Sequence, residues 1–521
     1  MNSHKYKFVN PIIAIIIGLF FLSCSDDKIP VDQIVAKVGD RIITVDEFKS
    51  SFEFSLKTLR LGNNPRKHYL DLMIKELLIA NEGYSQGYNK SKYVTDRVKN
   101  RTNNNLLESF YLKYVHAKVK IPEEKIVDAL KKSSIKFRLL IYPTPSLQKA
   151  AEAYEQAQIS NLGDFIDKQI DKLEVRNVKK ENFETEWIDY MEMPPQMFAS
   201  IQNLEIGKPS EPIPFNDGYA IFQVVEIKRE AIKSDELKFG PKRKKMYARL
   251  YNIESDRIVH ELMDTLLTPF DIRVSNNTID KMIKPLFEWI KSGISKRGSI
   301  VKNLKSISDT SKSYLKELKK LLPQKLYSSA NGTTTVEDYF DYMNYHRKNI
   351  IESSDLNDLK NRLITEVGTM IKNNQFIEIA RSDGFLDSAN VKKDIELWEK
   401  KWTYDIYRDQ LIQKISVTEH EMKNYFKYRW KELRISDVDS TRFYKYKDDV
   451  YNAILFEKHK NMLDKELDDL KKKYSIWINN DVLYKLKLND GPKSLETSVL
   501  VVKNFTGEFL VPSVDTQWFY Y

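Results

Sequence analysis

The sequence predicts an α+β chain that is mainly α: a duplicated helical core with one α+β domain inserted into its first copy. Three observations predict it. Apolar residues recur at helical spacing over much of the 521 residues, as in HYLDLMIKELLIANEG, where Leu70, Met73, Ile74, Leu77 and Leu78 share one face. The stretch Ile135 to Glu230 reads instead as strand, helices, strands, opening on IKFRLLIYP and closing on DGYAIFQVVEI. Short landmarks flanking that stretch recur in the second half, in the same order.

At the N-terminus Lys5 and Lys7 precede the apolar run Pro11 to Leu22, which is too short for a comfortable membrane span. Small Ser23 then precedes Cys24, the one cysteine of the chain, and the polar Ser25-Asp26-Asp27. This resembles a bacterial lipoprotein signal, with Phe21 where such signals usually carry Leu. The resemblance implies removal of residues 1–23 and lipidation of Cys24, with residues 24–34 as a tether. It places the protein in a bacterial cell envelope, facing the periplasm, with the outer membrane favoured over the inner. Lipidation would leave no free thiol, so no disulfide is expected. No other run reaches eighteen apolar residues.

Residues 35–120 form an N-terminal helical segment. In VAKVGDRIITVDEF, Gly39-Asp40 fits a tight turn and Thr44 can cap a helix that begins at Val45. A helix starts again after Ile121, with Pro122 at a favoured position, and leads into the inserted domain, 121–230 in all. Residues 231–285 return as charged helices and an alternating strand, Phe270 to Val274, expected to fold back on Val35 to Ile43. A Lys- and Ser-rich linker at 286–329, helical or loosely ordered, separates this copy from the second, 330–485. There ANGTTTVEDYF matches VGDRIITVDEF, with Thr335 placed 291 residues after Thr44. SVTEHEMKNYF matches KIPEEKIVDAL, with Val417 placed 296 after Ile121, and YSIWINN matches FDIRVSN, with Ile476 only 204 after Ile272. The offset falls by 296 − 204 = 92 residues between the last two landmarks, about the length of Ile135 to Glu230, so the second copy lacks that stretch. The tail, 486–521, holds a candidate strand, SVLVV, and ends on Trp518-Phe519-Tyr520-Tyr521. It reads as a docked aromatic tail or, more sharply, as a client mimic lying in a peptide groove.

Within the insert, the first strand, the Gly163-Asp164-Phe165 turn and Met193-Pro194 ahead of a helix come in a telling order. Leu204, Gly207, Ser210 and Pro212, then Gly218-Tyr219 before the last strand, complete it. The stretch resembles the parvulin family of peptidyl-prolyl isomerases, and with VAKVGDRIITVDEF and the lipoprotein signal the chain resembles SurA/PrsA-type extracytoplasmic folding factors. The resemblance implies that Met193 packs against a prolyl ring, with Met197 where the family usually has Phe. It also marks a departure. The two family histidines are replaced by Leu139 and Ala220, and no His or Cys occurs between Ile121 and Glu230. The expectation is a pocket that binds proline but turns it over poorly, with both Met residues as plain core the competing reading.

Charged residues reach 30% with both signs interspersed, so the net charge of +10 describes a solvated helical surface and no nucleic-acid footprint. The seven His residues are scattered, and His260-Glu261 and His420-Glu421 lack a second His four residues on. No P-loop or Gly-x-Gly-x-x-Gly occurs. No metal, nucleotide or other cofactor is expected. The expected function is a lipid-anchored folding factor that binds unfolded or nascent envelope polypeptides, mainly as an ATP-independent chaperone. An active isomerase with a non-standard pocket and a structural scaffold lipoprotein are the alternatives.

Overall fold

Turn and cap chemistry in both halves folds as its residues dictate, in a computed structural model that describes residues 29–519 apart from 61, 174–177, 217, 232–239, 294–298, 309, 347, 434–438 and 489–510. Cys24 and the candidate strand SVLVV lie outside the described residues. One compact unit comprises the residues up to Ser109 together with those from Ile377 onward, and the other comprises Phe110–Phe376. The chain is α+β and mainly α, with small antiparallel sheets among long helices.

In the first unit β1 (Ile34–Val38) and β2 (Arg41–Thr44) form a hairpin turned at Gly39, whose φ of +59° suits glycine. The Thr44 hydroxyl accepts the Glu47 N–H at 3.2 Å and so starts α1 (Val45–Glu53). Asn64 caps α2 (Pro65–Ser85), and α3 (Lys92–Tyr111) follows. The second unit holds α4 (Glu123–Lys132), β3 (Ile135–Thr144), α5 (Leu147–Ser160), α6 (Leu162–Lys172), β4 (Ile188–Asp189) and α7 (Pro195–Ile201). It continues with β5 (Ile213–Phe215), β6 (Gly218–Arg229), α8 (Pro241–Leu266), β7 (Arg273–Val274), α9 (Asn276–Lys291), α10 (Ile300–Lys305) and α11 (Ser313–Leu321). It ends with β8 (Lys325–Ser329), β9 (Gly332–Thr335), α12 (Val336–His346), α13 (Lys348–Ile351) and α14 (Leu356–Ser382). Back in the first unit come α15 (Ala389–Gln413), α16 (Glu419–Arg429), α17 (Lys447–Lys473), β10 (Ile476–Ile478) and α18 (Asn480–Lys485).

The two small three-stranded sheets repeat each other residue for residue. In β1–β2, Ile34 pairs with Thr44 and Ala36 with Ile43, which leaves Val35 as the bulged residue. In β8–β9, Lys325 pairs with Thr335 and Tyr327 with Thr334, which leaves Leu326, 291 residues after Val35. A third strand adds antiparallel to the first strand of each hairpin. The strands that do so are exchanged relative to the expected closure. β7 pairs with β8, through Arg273–Ser328 and Val274–Tyr327, and does not pair with Val35 to Ile43. β10 takes that place instead, through Ala36–Ile478 and Lys37–Trp477. Just beyond each strand a backbone N–H closes the edge: Ser275 to Leu326 O and Asn479 to Val35 O, both at 2.8 Å. Each hairpin edge needs one strand to satisfy its N–H and C=O groups, and the two candidate strands carry the same pattern, so either satisfies either.

The described residues of 286–329, a stretch expected as a linker, contribute to a core. Its residues Leu286, Phe287, Ile300, Val301, Leu304, Leu318 and Leu321 are buried with Leu326, Tyr327, Tyr339 and Phe340. Lysines and serines between these positions keep the exposed side solvated, and the apolar residues recur at helical spacing inside a polar composition.

The four-stranded sheet of the second unit has the order β4-β3-β6-β5, all antiparallel. β3 and β6 pair along their lengths, with a register shift that leaves Val225 unpaired. Leu140 and Ile221 point to the face covered by α5 and α6, where Ala153, Ala157, Leu162, Phe165 and Ile166 are buried. Phe137, Leu139, Ala220, Phe222 and Val224 point to the other. Asn161 caps α6 by accepting the Asp164 N–H at 2.8 Å, and Gln223 of β6 accepts the Leu162 N–H at 2.7 Å. These two bonds fix the Gly163-Asp164-Phe165 turn against the sheet. At Gly218 a Cβ would lie 2.3 Å from Thr144 O, so the β3–β6 pairing admits only glycine there.

Candidate functional site

The four positions singled out in the insert come together. Leu139, Ala220, Met193 and Met197 belong to one buried cluster on the second face of the sheet, with Tyr190, Phe198, Ile201 and Ile213. Strand alternation puts 139 and 220 on that face, and Pro194 and Pro195 start α7 so that Met197, Phe198 and Ile201 turn onto it. Met193 is 1% exposed and Met197 is 4% exposed, and Leu139 and Ala220 are fully buried. The face contains apolar walls of the kind a prolyl ring needs, but they are packed against other side chains.

The leading helix of the insert and the helix that follows the insert supply that packing. Ile126, Ala129 and Leu130 of α4 and Met246 of α8 join the same cluster. Arg249 of α8 clamps the loop before α7: its guanidinium donates to Met191 O at 2.6 Å and to Met193 O, and lies 5.0 Å from the ring centre of Tyr190. Arg243 makes a two-pronged ion pair with Glu123 of α4, at 2.7 and 2.5 Å, and Lys242 donates to Ser133 O at 3.1 Å. Sequence reading missed Arg249 and Met246. The signal was an Arg three residues after a Met in a helix that mixes charged with apolar and aromatic residues.

The main-chain groups of Leu139 are engaged with Thr185. Leu139 N donates to Thr185 Oγ1 at 3.1 Å, and Thr185 N donates to Leu139 O at 2.8 Å. Ser210 likewise closes on β6, its Oγ accepting the Phe222 N–H at 3.0 Å. Neither Leu139 nor Ala220 offers a side-chain donor or acceptor, so a twisted prolyl amide on this face would find no polar side chain at either position.

Among solved structures the chain is similar to the peptidylprolyl isomerase PrsA of Bacillus anthracis, at 14% identity and a TM-score of 0.21, over 38% of this chain and 96% of that one. It is similar also to PrsA of Bacillus cereus, at 16% identity and a TM-score of 0.20, over 45% of this chain and 90% of that one. The likeness is partial. No family model matches the chain, and no curated protein matches it.

A second feature lies in the first unit. Ile43, Met73, Leu77 and Ala80 line a cavity of about 50 Å³ with Glu76, Lys401, Tyr404 and the segment Val511 to Val514. Glu76 is 12% exposed and accepts from Lys401 at 2.8 and 2.9 Å. Burial pushes its carboxyl up, against the pull of Lys401 and Arg408. Burial also raises Asp405 to about 6, in spite of the same two cations, and raises the Tyr69 hydroxyl to about 12. Among the described residues no group of His, Cys, Asp and Glu side chains is placed to hold a metal ion, and no helix is long and apolar enough to cross a membrane.

Proposed function

We propose that the chain is a lipid-anchored extracytoplasmic folding factor that holds unfolded or partly folded envelope polypeptides, acting as an ATP-independent chaperone with little or no isomerase activity. One observation carries this reading: the sheet face that would seat proline has no polar side chain at positions 139 and 220, and Met193 and Met197 are packed into core. The helices support the holding role. In the first unit Phe426, Trp430, Phe443 and Tyr444 line an open groove rimmed by Lys423 and Lys427, with Tyr444 73% exposed. Aromatic walls with a charged rim suit reversible capture of apolar segments while the complex stays soluble. Anchoring is assigned to lipidated Cys24, in the bacterial envelope and facing the periplasm.

The test is a pair of assays on one preparation. The purified chain should suppress aggregation of a denatured client at near-stoichiometric ratio without ATP, and should leave prolyl-peptide isomerisation near its uncatalysed rate. Rapid isomerisation that Met193→Ala abolishes would establish the isomerase instead. Absence of both activities would leave a scaffold lipoprotein.

A further inference from the structure

Residues 511–519 lie against α1, α2 and α15 of the first unit. We propose that they are a tethered, displaceable occupant of a polypeptide-binding groove, whose ligands are extended client segments of the same chemistry: apolar residues, then an acidic residue, with an aromatic residue three positions beyond it. The proposal rests on the chaperone reading above and names its client site.

The contacts are those of a bound peptide. Three are to main chain, which any client offers. Pro512 O accepts from Ser51 Oγ at 3.5 Å, Val514 N donates to Tyr69 Oη at 3.5 Å, and Asp515 N donates to Glu76 Oε1 at 2.6 Å. Two side chains add selectivity. The Asp515 carboxylate pairs with Arg408 and accepts from Tyr404 Oη at 3.3 Å. Trp518 is 6% exposed, donates its indole N–H to Glu76 Oε1 at 3.2 Å, and lies 5.2 Å from Lys75 Nζ across its ring. An apolar groove with a few convergent polar anchors is the usual form of a ligand site.

Val514 and Trp518 are buried with the core of this unit, and two further observations favour a replaceable occupant. First, the polar groups of the groove have partners without the segment. The hydroxyls of Ser51 and Tyr69 lie 2.8 Å apart, Glu76 holds Lys401, and Arg408 donates to Asp409 at 2.8 Å. Withdrawal of the segment leaves Glu76 with Lys401 and Arg408 with Asp409, and gives up only the Asp515 carboxylate, whose place beside Arg408 the acidic residue of a client would take. Second, the fit is incomplete. The cavity of about 50 Å³ remains between Val511 to Val514 and the apolar wall of Ile43, Met73, Leu77 and Ala80, so a bulkier apolar side chain has room there.

The test uses the full chain and a fluorescein-labelled peptide, VPSVDTQWFYY, added in trans. A resident segment competes at an effective concentration on the order of millimolar. The double variant Asp515→Ala/Trp518→Ala should therefore bind the peptide at least about tenfold more tightly than the unmodified chain, and should not bind VPSVATQAFYY. Equal affinity of the two proteins, with circular dichroism showing both folded, overturns the proposal. If the double variant does not fold, the segment is structural and the proposal is also overturned. A second measurement needs no variant: in the unmodified chain the Val514 and Asp515 amides should exchange hydrogen at least about tenfold faster than those of Ala36 and Val38, and equal protection overturns the proposal. Aggregation suppression by both proteins separates the two readings. Suppression without peptide binding refutes the groove and leaves the chaperone; peptide binding without suppression supports the groove and refutes the chaperone.

Discussion

Arg249→Ala tests whether the covered apolar face of the four-stranded sheet is held shut by the returning helix. The change removes two hydrogen bonds from a cation, to Met191 O and Met193 O, and the contact with the Tyr190 ring. Hydrogen bonds to charged groups contribute about 1.5–3 kcal/mol each, and a partly exposed cation–π contact about 0.5–1. Water can reach Met191 O, whereas Met193 lies in the core, so only part of that sum is recovered on mutation. A net loss of roughly 2–4 kcal/mol is expected, or about 5–10 °C in the melting temperature of a unit of this size. Arg249→Lys should fall between, because an ammonium cannot reproduce the two-pronged geometry. Urea and thermal melts measure the loss, and dye binding reports exposure of the apolar face. A loss under about 0.5 kcal/mol, or no difference between the Lys and Ala variants, would refute the clamp.

Three other predictions follow from the same physics. Asp405, raised from 3.8 to about 6 by burial, holds its proton more tightly folded than unfolded; its stabilising contribution is therefore full below about pH 4 and lost as pH rises through about 6. Asp405→Asn should raise stability at pH 7–8 by about 1–3 kcal/mol and flatten the pH dependence between 4 and 6, as read by urea melts across that range. Ala220→His, alone or with Leu139→His, should cost about 2–4 kcal/mol by overpacking and by burying an unpaired ring nitrogen, with no gain in isomerase rate; a rate gain with stability intact would show that the pocket still opens. Cys24→Ala should release the protein from membranes and block lipid labelling, and retention after a high-salt wash would contradict the anchor.

Local chemistry was legible in the sequence to the residue. Thr44 and Thr335 as caps, Gly39 as a turn, and Leu70, Met73, Ile74, Leu77 and Leu78 as one buried face all follow from short-range rules. The match of ANGTTTVEDYF to VGDRIITVDEF was legible too, and the structure adds to it equivalent bulges at Val35 and Leu326. The partner of each closing strand was not, for the same reason: equivalent patterns at Ile272 and Ile476 fit either hairpin, and nothing local separates them. The stretch 286–329 was misread because lysines and serines dominate its composition, while burial depends on the spacing of Ile300, Leu304 and Leu318. At the candidate site the sequence identified which side chains share a face. It could not show that Met246 and Arg249, from a helix outside the insert, cover them, because that contact joins distant residues without a motif.

The most direct test of the account is prolyl-peptide isomerisation measured beside aggregation suppression for the unmodified chain, with Met193→Ala in parallel. Absence of a polar side chain at positions 139 and 220, each such partner being worth roughly one to two orders of magnitude in rate, predicts isomerisation near background, aggregation suppressed, and both values little altered by Met193→Ala in protein that remains folded. Isomerisation well above background and abolished by Met193→Ala would contradict it.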